Sequence, residues 1–258
     1  LPVDERNPIL IDNDGWSDNW LGEYAMLLAN SGGPRIVGII ASASEYWPNA
    51  TDNATGWGKL VAAARASGLK NIPDVTTSAG APLVRPADGQ IDMTTPNNAA
   101  GAQRIIQLSR QFSTPSRPLV VISAVPLTNL ADAYLIDHSV VDRVVVLAVL
   151  GELGTPNATM NGPNGDLDPW AAWIVAQRYR YIQVSAYYAQ AGDLTESDFS
   201  RLPDNALGDW MRDKQPDLFT IPQASDQIAV LSLGLATFAT AVQRSSPDTS
   251  VGFDNVQG

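Results

Sequence analysis

Short apolar runs alternate along the chain with stretches whose apolar residues recur every three or four positions. The first pattern is typical of buried strands and the second of amphipathic helices. We predict six strands, at residues 9–12, 35–42, 73–77, 118–124, 142–151 and 181–186. We predict helices at residues 18–30, 54–67, 97–112, 128–137, 169–178, 195–214 (one or two, broken at Pro203) and 225–243. Asn97 or Asn98 is expected to cap the third of them.

Alternation of this kind indicates βαβ units and a parallel sheet that is covered on both faces. The Gly/Pro/Asn-rich stretch 151–165 is interpreted as a long loop over a site rather than a domain boundary. We therefore predict an α/β protein with a single domain over residues 1–258. Its sheet would be open and mostly parallel, with helices on both faces.

Composition narrows the classes of partner. The 258 residues are 45% hydrophobic, enough for a sizeable core, and no apolar run reaches the length of about 18 residues that a membrane span needs. The net charge of −11 argues against nucleic acid and anionic membranes as partners. Small neutral ligands and cations remain compatible with that charge.

Cysteine and histidine usage excludes several chemistries. The absence of cysteine excludes disulfides, thiolate catalysis and cysteine-ligated metals. The only histidine is His138, and we expect it on the surface at the end of the sheet opposite the site.

Two features bear on the compartment. The chain lacks an initiator methionine and is acidic with few lysines, so we expect a secreted or periplasmic protein, with the cytoplasm left open. Asn49, Asn53 and Asn157 stand in Asn-x-Thr triplets that would accept glycans only in a eukaryotic secretory pathway.

The stretch ILIDNDGWSDNW (9–20) crowds three aspartates behind the first strand. Asp12 and Asp14 lie at the carboxyl end of that strand, where open parallel sheets bind ligands. Helix capping explains Asp18, which opens the next helix, but not the other two. Oxygen ligands at this density suit a hard cation such as Ca²⁺ or Mg²⁺.

Two familiar patterns fit this stretch poorly. An EF-hand would need glycine where Ser17 stands, and a strand precedes the segment, so we reject it. Phosphatases of the haloacid dehalogenase type also begin with strand-Asp-x-Asp-Gly. They would have threonine in place of Trp16, and this alternative stays open as the weakest.

A third pattern, that of the nucleoside hydrolases, fits better. These proteins begin with strand-Asp-x-Asp-x-Gly-x-Asp-Asp. The segment DNDGWSDN (12–19) resembles it, with Gly15 one place early and Asn19 in place of the last Asp. Further segments resemble the family in the same order, over about residues 9–240: SAGAPLVRP (78–86), VVISAVPLTNLADAY (120–134), RVVVLAVLGELG (143–154), MNGPNGDLDPWAAWIV (160–175) and SDQIAVLSLG (225–234). The resemblance implies a nucleoside hydrolase-like fold.

The resemblance also implies a Ca²⁺ site. Its ligands would be Asp14, Asn19, the main-chain carbonyl of Thr128, and Asp226. Asn19 is neutral where the family has a carboxylate, so we expect weaker metal binding. Asp14 would be the catalytic residue and take a proton from water. Asp12 would support it from behind.

The substrate side follows from the same resemblance. Asp18 would bind the ribose 2′- and 3′-hydroxyls, and Asn161 and Asn164 the rest of the sugar, unless these two are turn residues. Glu45 stands where the family has Asn, and Ser225 stands beside Asp226 where the family has His. Trp47 lies in a loop after a strand, where it could stack on a base or a sugar.

The leading hypothesis is a Ca²⁺-dependent hydrolase of the N-ribosidic bond of a nucleoside or related ribosyl compound. A non-catalytic sugar- or nucleoside-binding protein is an alternative, favoured by Asn19, Glu45 and Ser225. A hydrolase of another glycoside is a third possibility. The family commonly forms dimers or tetramers, and a homo-oligomer stays open here.

Overall fold

A six-stranded sheet organises the protein. The computed structural model describes residues 4–15, 32–45, 47–150, 163–184, 202–210 and 212–213. The strands are β1 (Pro8–Asn13), β2 (Arg35–Ala41), β3 (Val75–Thr77), β4 (Leu119–Ser123), β5 (Val144–Val149) and β6 (Arg180–Val184). They pair in the order β3-β2-β1-β4-β5-β6, each pair parallel, so the predicted α/β class is confirmed.

Helices cover both faces of this sheet, as predicted. Within the described ranges they include α1 (Ala50–Ala66), α2 (Ala100–Phe112), α3 (Thr128–Ile136), α4 (Pro163–Leu167) and α5 (Pro169–Arg178), with 3-10 turns at Ile91–Met93 and His138–Asp142. Residues 206–210, inside the predicted helix 195–214, are also helical. Successive strand residues point to opposite faces, so Leu10 joins the apolar layer under α2, α3 and α5, and Ile11 joins the layer under α1. Over the described ranges, none of the helices has the length and apolar character needed to cross a membrane.

The predicted elements agree closely with the observed ones where the structure describes them. Each predicted strand is present, although β3 begins two residues later than expected and β5 is shorter at both ends. The first described helix begins at Ala50, four residues early, because Asn49 caps it by accepting from the N–H groups of Thr51 and Asp52. The helices predicted at 18–30 and 225–243 lie outside the described residues.

The predicted cap of α2 is wrong. The helix begins at Ala100, and neither Asn97 nor Asn98 caps it through its side chain. Instead, the carboxylate of Asp132 on α3 accepts from the N–H groups of Asn97, Asn98 and Ala99 at 2.7, 3.2 and 2.8 Å. A carboxylate on α3 therefore holds the segment that leads into α2, and neither asparagine supplies a side-chain cap.

The strand order creates a crevice between β1 and β4. The chain leaves β1 for β2 on one side and leaves β4 for β5 on the other, so the carboxyl ends of β1 and β4 border a topological switch point. Asp12 pairs with Ser123 across these two strands. The predicted acidic site thus lies where this class of sheet binds its ligands.

Candidate functional site

Two aspartates are buried at the end of β1. Asp12 is fully buried and Asp14 is 4% exposed, and among the described residues neither forms an ion pair with Arg or Lys. Burial, together with the nearby charge of Asp14, raises the pKa of Asp12 to about 6. Hydrogen bonds from Ser42 and Asn129 oppose this rise. Burial also raises the pKa of Asp14, although a hydrogen bond from Ser44 opposes the rise.

A hydrogen-bond network holds Asp12 from behind. The hydroxyl of Ser42, directly after β2, donates to one carboxylate oxygen at 2.5 Å, and the amide of Asn129 on α3 donates to the other at 3.0 Å. Asn129 also donates to Ser42 Oγ at 2.9 Å and accepts from Ser78 Oγ, directly after β3, at 2.7 Å. The N–H of Gly101 on α2 donates to Ser78 Oγ at 3.0 Å. Four segments distant in sequence are thus joined in one hydrogen-bond network behind this carboxylate, which Ser42 and Asn129 contact directly.

Asp14 is held through its backbone from the other face of the sheet. The indole N–H of Trp57 on α1 donates to the carbonyl of Asp14 at 3.1 Å. Trp57 is fully buried and contributes to the apolar layer under α1.

The loop after β2 lies beside Asp14. Asn53 on α1 fixes this loop by donating to the carbonyls of Ser42 and Trp47 at 2.8 and 3.0 Å. The half-buried indole of Trp47 lies against Gly15, where a Cβ atom would come within 2.4 Å of its Nε1. Glu45 is exposed on the same loop. Both predicted substrate residues of the loop therefore lie at the carboxyl edge of the sheet.

Thr128 is tied to a second buried carboxylate. Its hydroxyl donates to Asp168 at 2.6 Å, and the same carboxylate accepts from the N–H groups of Leu83 at 3.0 Å and Ala171 at 3.0 Å. Burial raises the pKa of Asp168, and these three hydrogen bonds oppose the rise. Asp168 thereby caps α5 and joins it to the start of α3 and to the segment after β3.

Asn164 lies in the short helix α4 rather than in a loop, contrary to the sequence prediction. Its amide donates to the carbonyl of Val149, at the carboxyl end of β5, at 2.9 Å. The predicted site residues Asp18, Asn19, Asn161, Ser225 and Asp226 lie outside the described residues.

His138 lies where the sequence places it. It is exposed in the connection from α3 to the amino end of β5, and its ring stacks on Tyr134 with centroids 4.5 Å apart. The chain's single histidine therefore lies at the amino edge of the sheet, opposite the carboxyl edge where sheets of this class bind ligands.

The donor set at β1 fits a hard cation. Two buried carboxylates without a described basic partner supply oxygen atoms and negative charge, which Ca²⁺ prefers. Within the described ranges, no three His, Cys, Asp or Glu residues are grouped so that they could hold a metal ion. Two of the four predicted ligands lie outside those ranges, and the calcium site stays a prediction.

Four polar residues of this region were not predicted from the sequence. Ser42, Ser78, Asn129 and Asp168 are all buried and hydrogen-bonded there. One signal was available for the two serines, because each directly follows a strand on the same edge of the sheet.

Comparison with known proteins identifies the fold. No protein-family model and no curated protein sequence matches the chain. Among solved structures, an inosine-guanosine nucleoside hydrolase matches with a TM-score of 0.69 at 18% identity, over 90% of this chain and 79% of that one. The inosine-uridine preferring nucleoside hydrolase from Bacillus anthracis matches with a TM-score of 0.59 at 12% identity, over 90% of this chain and 82% of that one.

A purine-preferring ribonucleoside hydrolase from Gardnerella vaginalis also matches, with a TM-score of 0.55 at 16% identity, over 90% of this chain and 81% of that one. Identities this low establish the architecture and leave the activity to be argued from the site. The chain therefore has the α/β fold of the nucleoside hydrolases.

Proposed function

We propose that this protein is a Ca²⁺-dependent N-glycoside hydrolase that cleaves the N-ribosidic bond of a nucleoside or a related ribosyl compound. The observation that carries the proposal is the buried pair Asp12 and Asp14 at the switch point of the sheet, without a described basic partner. The three similar structures, each named as a nucleoside hydrolase, support the same class of reaction.

The chemistry requires negative charge beside a sugar. Cleavage of an N-ribosidic bond passes through a transition state that resembles an oxocarbenium ion, and fixed carboxylates stabilise its positive charge. Asp14 accepts a proton from the attacking water, and Asp12 supports it from behind at the end of the strand. Asp14, Asn19, the carbonyl of Thr128 and Asp226 would hold Ca²⁺. When bound, the ion acts as a Lewis acid that lowers the pKa of water.

Other residues of the carboxyl edge bind the substrate. Trp47 offers an aromatic face next to Gly15, and Glu45 adds a carboxylate on the same loop. The amide oxygen of Asn164 accepts a hydrogen bond from the sugar, because its N–H₂ group is already bonded to the carbonyl of Val149. Asp18 and Asn161 complete the proposed ribose contacts.

The test is ribose release from a panel of nucleosides, measured as reducing sugar with Ca²⁺ and with a chelator. We expect release that the chelator suppresses and that Asp14→Asn lowers by at least about a hundredfold. Asp204→Asn is the matched control, because that carboxylate is fully exposed and far along the chain. Equal loss in both variants, or no release from any nucleoside, would contradict the proposal.

A second function is favoured by the position of His138. A departing base needs a proton donor, and the chain's only histidine is exposed at the wrong edge of the sheet, with Ser225 where the family has His. A non-catalytic nucleoside- or sugar-binding protein needs no such donor. Tight equilibrium binding of nucleosides without ribose release would favour this alternative.

A further inference from the structure

The side chain of Asn129 makes three hydrogen bonds to buried groups. One amide hydrogen is directed to Asp12 Oδ2 and the other to Ser42 Oγ, and the amide oxygen accepts from Ser78. All four residues are buried, none with more than 6% exposure. A buried network of this kind stabilises one arrangement only when each member is satisfied.

The network fixes the direction of the Asn129 amide. If the amide were flipped, its oxygen would face the carboxylate of Asp12, and the hydroxyl of Ser78 would face an N–H₂ group. Ser78 already accepts from the N–H of Gly101, so its own proton must go to an acceptor. Only the observed orientation satisfies every donor and acceptor.

The approach of α2 closes the network. A Cβ atom on Gly101 would lie 2.6 Å from Asn129 Oδ1 and 2.7 Å from Ser78 Oγ, so the residue must be glycine for the helix to come this close. The Asp12 carboxylate is thereby linked through two side chains to the first turn of α2.

We propose that Asn129 is a positioning residue of the site, which fixes the Asp12 carboxylate behind Asp14 and so sets Ca²⁺ affinity and turnover. The inference rests on the proposed function. Asn129 lies behind Asp12 and has no role in binding the substrate itself. Its loss should therefore lower Ca²⁺ affinity and kcat and leave KM within about twofold.

The experiment measures Ca²⁺ binding by isothermal titration calorimetry, together with kcat and KM for the best nucleoside. We expect Asn129→Leu to weaken Ca²⁺ binding about tenfold, because Asn129 acts on the site through Asp12 and not on a metal ligand directly. This is the lower end of the range observed when partners of the metal's own ligands are removed. Ser78→Ala is the milder variant, for use if Asn129→Leu does not fold, and should weaken binding severalfold.

Ser109→Ala is the matched control, since Ser109 is a fully buried serine toward the C-terminal end of α2. Its hydroxyl donates to the carbonyl of Ile106 and accepts from the side chain of Arg143. It should lower the melting temperature and leave Ca²⁺ affinity unchanged. Variants of Asn129 and Ser78 that fold and bind Ca²⁺ like wild type would overturn the inference and leave the proposed function intact. A wild-type protein that neither binds Ca²⁺ nor releases ribose would overturn both.

Discussion

The indole N–H of Trp57 donates a 3.1 Å hydrogen bond to the main-chain carbonyl of Asp14. Trp57 belongs to the apolar layer under α1, and Asp14 is the residue directly after β1. The packing of α1 therefore also sets the backbone of the proposed catalytic residue.

Replacing Trp57 by phenylalanine should lower stability, because the ring is largely kept while the carbonyl of Asp14 loses its buried donor. A buried carbonyl without a partner costs about 1–3 kcal/mol. Urea unfolding measures the change. Trp210→Phe is the control, since Trp210 is only partly buried at the edge of the same layer. Equal losses in the two variants would show that the hydrogen bond contributes little.

Alanine at Gly101 and alanine at Gly58 should act in opposite directions. At Gly101 the new methyl group would lie within 2.7 Å of Asn129 and Ser78, so one of them must shift, and overpacking of this kind costs about 1–3 kcal/mol. Gly58 lies in the interior of α1 with no atom within 4 Å of the added Cβ. Alanine there should stabilise by about 0.5–1 kcal/mol. Thermal unfolding of both variants is the measurement, and a stabilised Gly101→Ala variant would contradict the packing described.

The stability of the calcium-free protein should fall as pH rises from about 4 to about 6. Burial raises the pKa of Asp12 from 3.8 to about 6, so in this range the folded protein holds a proton that the unfolded chain has released. Protons held by the folded state make stability fall with rising pH, by about 3 kcal/mol for a shift of this size. Well below pH 4 the carboxyl is neutral in both states, and well above pH 6 it is charged in both.

Urea unfolding in a chelator at pH 4, 5, 6 and 7 measures this slope. Asp12→Asn should flatten it by about that amount, whereas Asp74→Asn, whose side chain is 90% exposed, should leave it as in wild type. Asp14 and Asp168, whose pKa values burial also raises, should leave a smaller slope of the same sign in Asp12→Asn. A slope as steep as that of wild type would show that Asp12 does not contribute to it.

Trp47→Ala should weaken nucleoside binding about tenfold, because stacking of a base on an aromatic side chain contributes about 1–3 kcal/mol. Trp47→Phe keeps an aromatic face and should recover most of the affinity. Equilibrium dialysis with a radiolabelled nucleoside gives the dissociation constants without requiring turnover. If Trp47→Ala binds like wild type, the indole serves only to pack against Gly15.

Local sequence patterns predicted most of the sheet. The run at 35–42 became β2 almost residue for residue, and helix 169–178 was predicted with its observed bounds. These elements depend on apolar spacing within one segment, which a single sequence displays. The position of Asp12 and Asp14 at a ligand-binding edge followed from the same patterns, since a parallel sheet gathers the carboxyl ends of its strands.

Contacts between distant segments were not predicted. Asn97 and Asn98 are good capping residues, yet the N–H groups before α2 bond to Asp132, 33 to 35 residues away. Likewise, nothing near Asp168 in the sequence indicates its bond to Leu83, 85 residues away. A buried N–H or C=O group takes whichever partner the packing brings within reach.

The sequence by itself determined the α/β class, the order of the described strands and of the described helices other than α4, and the acidic end of β1, because each depends on the pattern of neighbouring residues. Only the tertiary structure decided what surrounds those aspartates. Asn129 reaches Asp12 across 117 residues, and Trp57 reaches Asp14 across 43. The reason is physical: burial removes water as a partner, so each polar group must find another one, and the geometry of the whole sheet determines which residue that is.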